Sequence, residues 1–368
     1  MEAKKSNNLP WVYSPWFDLL FILLPPFICL VFILLFAPYF LSNPTENPWI
    51  WLLIVVGVDV GHVYSTIYRT YLETDMVKKN KLLFYYSPIA LYIIGVLLHS
   101  TQPVLFWRTM TYLAVFHFIR QQYGFMRLYS RNEIANKWSK RIDQITIYST
   151  TLYPLLYWHL SGPQPFNWFI DNDFIYFNHP QFIPFFTSLY LLVLSVYLCK
   201  ETIRSKQIGQ LNIPKQLLVL GTAVSWYFGI VVFKGDLTFT LLNVISHGIP
   251  YYALVWAYGN KQQLKTPTTI NKLSRFFKPK NILLFFGLLF LLAYVEEYLW
   301  DGLVWKEHAV VFPLSKVLPN LTDHSDLLSL LVPLLALPQI MHYFIDGFIW
   351  KINKDRFGWV SVLFTKKS

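Results

Sequence analysis

The 368-residue chain is predicted to be an all-α, polytopic helical bundle that spans a membrane, and three observations predict it. Hydrophobic residues make up 55% of the chain and charged residues only 14%, with a mean hydropathy of +0.39. That is too apolar and too poor in charge for an ordinary water-soluble domain. The apolar residues gather into about ten runs, most of which approach the roughly 20 residues needed to cross a bilayer core. Lysine and arginine collect in alternate connections between the runs, the pattern left by membrane topology. The net charge of +11 is accounted for by that alternation, so membrane lipids are expected as partners and nucleic acid is not.

In order, the runs are 16–38, 49–68, 82–99, 104–126, 145–161, 182–200, 215–233, 237–258, 281–297 and 326–350. Runs 145–161 and 281–297 are short and need extension or a tilted neighbour. The start, MEAKKSNNLP, leads into a long first run without a small-residue cleavage site, so that run is expected to remain in the mature protein. Lys4 and Lys5 precede the first run. Basic connections then follow at Arg69 to Lys81, Arg127 to Arg141, Lys200 to Lys215, Lys261 to Lys280 and Lys351 to Arg356. The segments 39–48 and 162–181 contain neither lysine nor arginine. The positive-inside rule then places both termini in the cytoplasm, with an even number of crossings. The expected organisation is a single transmembrane domain over 1–368. Aromatic and Asp/Asn/Pro-rich caps lie on the outer side at about 162–181 and 298–325, and a cytoplasmic linker at about 259–280. Glu296, Glu297 and Asp301 read as a solvated acidic edge. Cys29 and Cys199 stand far from any CxxC spacing, so neither a disulfide nor a thiolate metal site is expected.

Four histidines, His62, His117, His247 and His342, fall inside separate apolar runs. Imidazoles are costly in hydrocarbon without partners, so four of them point to one shared polar site. Their runs all cross in the same direction. Counted from the inner ends, their depths differ by about 8 Å at 1.5 Å per residue, close enough for a single layer. His99, His159, His179, His308 and His324 lie near outer ends or in outer connections and read as solvated or hydrogen-bonded interface residues.

Around each candidate ligand the sequence places polar neighbours. In DVGHVYSTIYR, Asp59 precedes His62 by three residues on one helical face, and Gly57 and Gly61 permit close helix approach. In FHFIRQQYG, Arg120 and Gln121 follow His117 by three and four residues. Arg120 is expected to hold Asp59, Asp346 or an anionic substrate group, or alternatively to snorkel to the inner headgroups. In ISHGIPYY, Asn243 and Tyr251 flank His247 at minus and plus four, and Gly248 and Pro250 are expected to bend or open the helix. In MHYFIDGFIW, His342 and Asp346 share a face, and Trp350 and Lys351 read as an interfacial anchor.

Neutral imidazoles suit a borderline divalent metal. Ferrous iron, Fe(II), is expected first, because the apolar surroundings suit a lipophilic small molecule and an open coordination direction would take dioxygen; Zn or Cu are the alternatives. No HExxH, HxxHH or paired histidine-box signature is present. A mononuclear site built by single histidines on separate helices resembles the bacterial membrane beta-carotene 15,15'-dioxygenase (Brp/Blh) family, with DVGH, FHFIRQQYG, ISHGIPYY and MHYFIDGFIW carrying the resemblance. It implies a polytopic enzyme of the bacterial cytoplasmic membrane that uses histidine-bound iron to cleave a carotenoid. Other oxidations of lipids or isoprenoids stay open on the residues themselves. On this enzyme reading the four histidines hold the metal and Asp59 and Asp346 orient them, while Arg120, Gln121 and Tyr251 place dioxygen or the polar end of the substrate. A dioxygenase needs no reductant, whereas a mono-oxygenase would need an electron donor as partner. The competing classes are a transporter or channel with an intramembrane His/Asp/Arg site, another membrane metalloenzyme, and a bis-histidine haem protein.

Overall fold

The computed structural model describes residues 10–42, 47–164, 167–265, 272–319, 321, 324–352, 355 and 357–364. Helices dominate it, and no strand occurs among the described residues. Six helices are long and apolar enough to cross a membrane, or seven if the bent pair Pro15–Leu23 (α1) and Pro25–Leu35 (α2), which meet at 51°, forms one span. The six are Pro48–Arg69 (α3), Leu82–Thr101 (α4), Pro180–Ile208 (α7), Ile213–Val232 (α8), Pro279–Trp305 (α10) and Ser325–Ile349 (α11). Three further helices, Pro103–Tyr129 (α5), Lys137–Ser161 (α6) and Ile245–Lys265 (α9), coincide with expected runs but are more polar. This is an integral membrane chain by its helices. The two runs that looked short lie in helices that continue well past them, through Lys137–Ser161 and Pro279–Trp305.

Two compact units organise these helices. The first comprises Met1–Pro44, Phe118–Pro165 and Ile175–Ser246; the second comprises Thr45–His117, Phe166–Phe174 and His247–Ser368. In the first, α6 packs on α7 and α8, and α8 on α2. A buried ionic knot lies among them. Lys215 reaches Glu201 at 2.6 Å and Glu133 at 3.0 Å, Arg204 reaches Glu133 at 3.1 Å, and Lys200 reaches Glu201 at 2.6 Å and also contacts Asp143. Three basic side chains that read as loop charges are therefore neutralised inside the protein.

In the second unit, α3 packs on α10 and on the C-terminal half of α11, and α4 lies along α11. Its apolar core includes Tyr68, Tyr252, Phe277, Phe285 and Leu289 around α3, α9 and α10, and Phe106, Trp107, Trp300, Val332 and Ile340 around α5, α10 and α11. The second outer cap is more helical than expected, because α10 runs on to Trp305. Glu296 and Asp301 are also buried rather than solvated. Glu296 accepts from the Tyr64 hydroxyl at 2.5 Å, and Asp301 accepts from the His308 amide and the Ser315 hydroxyl, both at 2.6 Å. Asp173 pins the first cap by accepting from the Trp168 and Phe169 amides at 2.9 Å each and from the Thr111 hydroxyl. Burial raises its pKa, and those three hydrogen bonds oppose the rise. Lys4, Lys5, Pro267, Lys354 and Arg356 lie outside the described residues.

Helix irregularity falls at different places from those the sequence signals. Pro250 sits within continuous helix, while a π-helical stretch, Thr240–Val244, ends just before the turn that carries His247. A second π stretch, Leu52–Val60, ends just before Gly61 and His62. Such widened turns carry i→i+5 bonds and shift the angular phase of everything preceding them.

Candidate metal centre

All four candidate histidines belong to the second unit, and their side chains meet. One ring nitrogen from each of His62, His117, His247 and His342 lies within 4.8 Å of those from the other three. The rings form a circuit: His62 to His247 at 4.6 Å between centroids, His247 to His117 at 4.9 Å, His117 to His342 at 4.5 Å and His342 to His62 at 4.9 Å. None is more than 5% exposed. The convergence depends on close backbone approach. A Cβ on Gly248, next to His247, would stand 2.9 Å from the Val58 carbonyl oxygen, and the Val58 carbonyl is in turn the acceptor for His62 Nδ1 at 3.1 Å.

The donor set fits a metal ion. A carbonyl only accepts, so His62 carries its ring proton on Nδ1 and turns the Nε2 lone pair inward. His62 Nε2 lies 3.1 Å from His247 Nε2. The Nε2 atoms of His117 and His342 are buried without a hydrogen-bond partner. Buried nitrogens left in that condition are expensive unless something electrophilic sits between them. Four nitrogens each about 2.0–2.1 Å from one tetrahedrally held ion would all lie about 3.3 Å from one another. The observed spacing closes to that range with shifts under about 1 Å.

The polar neighbours sort differently from the sequence expectation. Asp59 Oδ1 stands 3.7 Å from His62 Nδ1. Asp346 Oδ1 is 3.8 Å from His342 Nδ1, too far for a hydrogen bond, and instead accepts from the Tyr251 hydroxyl at 2.7 Å. Thr66, which the sequence reading passed over, joins the two: its hydroxyl is 2.7 Å from His342 Nδ1 and 2.9 Å from the Tyr251 oxygen. Its signal was available, since it follows His62 by four residues on the same face. The Trp350 indole N–H donates to the Tyr251 hydroxyl at 3.2 Å. Tyr343 packs on the His117 ring at 4.8 Å, and its hydroxyl accepts from Gln339 at 2.7 Å.

Three of the predicted neighbours belong to the first unit. Arg120 is exposed and donates to the Tyr148 hydroxyl at 3.0 Å, while Asp59 and Asp346 have the histidine and tyrosine partners just given. Gln121 is half-buried. Asn243 donates to the Ser225 and Phe239 carbonyls at 3.3 Å each. It lies within the π stretch, so counting back four residues from His247 does not return to the same face.

Of the other histidines, His179 and His324 are exposed, as expected. His99 is buried edge-on against Phe106, and His159 is buried in the first unit. His308 stacks on Trp51 at 3.7 Å between centroids, and burial lowers its pKa. Cys29 and Cys199 are both free.

Beside the histidines lies a pocket of about 320 Å³. Its wall is mainly apolar, with Val63, Ile67, Leu334, Leu337, Met341 and Ile345, and it contains Thr66 and His342 but no Lys, Arg, Asp or Glu. The chain matches no protein-family model, and no curated protein or solved structure matches it. Any functional reading therefore stands on this geometry.

Proposed function

We propose that this chain is an integral-membrane, metal-dependent oxygenase that acts on a lipophilic substrate, a carotenoid, other isoprenoid or lipid, with non-haem ferrous iron held by His62, His117, His247 and His342. The observation that carries the proposal is the convergence of four buried imidazole nitrogens within 4.8 Å. Iron bound there would supply a centre for activating dioxygen. The protein's own part is to fix the ring tautomers through Val58, Thr66, Tyr251 and Asp346, to exclude water by burial, and to offer an apolar pocket beside His342. A wall without ionised side chains suits a hydrocarbon chain better than a charged headgroup.

The proposed topology has about ten spans and both termini in the cytoplasm. The bent pair supplies one span, and the more polar helices α5, α6 and α9 supply three. Incorporation of both atoms of dioxygen into the products would make an electron donor unnecessary, and that is the form proposed here.

Purified protein should contain one iron per chain, without the intense visible band of haem. With a lipophilic polyene it should consume dioxygen and place both labelled oxygen atoms in the products when given ¹⁸O₂. Protein that holds no metal after growth with iron, zinc or copper, or that moves solutes across vesicles independently of metal, would overturn the reading in favour of a transporter.

A further inference from the structure

Between His342 and Asp346 the hydrogen bonds form a chain whose direction is set by chemistry at its ends. With Asp346 ionised, its Oδ1 can only accept, so the single proton of the Tyr251 hydroxyl is committed to it at 2.7 Å. The indole N–H of Trp350 can only donate, and it occupies a lone pair of the same tyrosine oxygen at 3.2 Å. The tyrosine oxygen can then only accept from Thr66, 2.9 Å away, which commits the threonine proton in turn. Thr66 Oγ1 therefore meets His342 Nδ1, 2.7 Å away, as an acceptor. In that state the proton of the neutral imidazole sits on Nδ1 and its lone pair on Nε2, the buried nitrogen with no hydrogen-bond partner in the histidine circuit.

We infer that Thr66 is a positioning residue: it transmits the orientation imposed by Asp346 and Trp350 on Tyr251 to His342, and so holds that ring in the one tautomer able to bind metal through Nε2. This rests on the metal-centre reading for its purpose, but the tautomer it predicts does not. Asp346 does not orient His342 directly, since 3.8 Å separates them. Thr66 has the further advantage of being buried at the wall of the pocket, where a hydroxyl can be exchanged for a methyl without altering shape.

The test compares the full-length wild type with Thr66→Val, Thr66→Ser and Tyr251→Phe. Nitrogen NMR of metal-free, ¹⁵N-histidine-labelled protein, with His342→Ala identifying the resonance, should show His342 in the Nδ1–H form in the wild type and T66S. In T66V that form should lose its dominance. In Y251F the freed threonine hydroxyl can turn toward His342, so the Nδ1–H form should also fall. Ferrous iron affinity, measured by chelator competition, should drop about 10–100-fold in T66V and recover in T66S. Wild-type affinity together with an unchanged His342 tautomer in T66V would overturn the inference. So would a T66S variant as impaired as T66V, which would point to packing of the methyl group. A wild type that binds no metal would defeat the metal-centre reading, while the nitrogen spectra would still decide the role of Thr66.

Discussion

Each compact unit buries a polar cluster, and the two are built on opposite principles. In the first, Lys200, Arg204 and Lys215 face Glu133, Asp143 and Glu201, so three cations meet three carboxylates and the charges balance within the cluster. In the second, four imidazoles face one another, each with one ring nitrogen within 4.8 Å of those of the other three. A balanced ion cluster repays its desolvation internally and ties helices together. Four like donors cannot satisfy one another, and the His117 and His342 Nε2 atoms are left without hydrogen bonds. The difference separates a fastening that is complete in itself from a group that could hold a metal ion.

That contrast can be broken most severely at the ligands. Replacing any one of His62, His117, His247 or His342 by alanine should abolish stoichiometric metal, read by elemental analysis, whereas His159→Ala should leave it unchanged. Four single variants that each keep full occupancy would end the assignment of a shared centre.

A somewhat smaller effect is expected from Gly248→Ala. The new methyl would stand 2.6 Å from Val58 Cγ1 and 2.9 Å from the Val58 carbonyl oxygen, so the two helices must part. Metal content and melting temperature should fall together, because the same approach positions His247 and holds the acceptor of His62.

Lys215→Ala should separate the two clusters. Removing a fully buried cation leaves Glu133 and Glu201 short of their partner and should cost about 3–5 kcal/mol of stability. Thermal unfolding should shift downward while metal per folded chain stays at the wild-type value. Loss of metal in folded protein would show that the clusters are not independent.

The smallest change is expected from Asp59→Asn. Its carboxylate stands 3.7 Å from His62 Nδ1, whose proton is already taken by the Val58 carbonyl, so iron affinity should fall by less than about tenfold. A larger loss would show that Asp59, and not the backbone, fixes that ring.

The membrane class, the helical content and the four histidines were legible in the chain itself, because apolar length and the cost of an imidazole in hydrocarbon are local properties of sequence. Apolarity alone selects six helices, and α5, α6 and α9 fall outside that set because their polar faces lower the average. Helical phase was legible only where the helix is regular. Thr66 could be read from His62 across a true α turn, but Asn243 could not be read from His247 across a π stretch.

Tertiary structure decided the rest. Whether Arg120 meets a carboxylate or Tyr148, whether the Trp350 indole finds Tyr251, and whether Lys215 closes an ion cluster all depend on partners far away in the chain. Sequence spacing reports which residues share a face of one helix. It cannot report which face of another helix arrives opposite, because that is settled by packing and by the requirement that each buried donor find its acceptor.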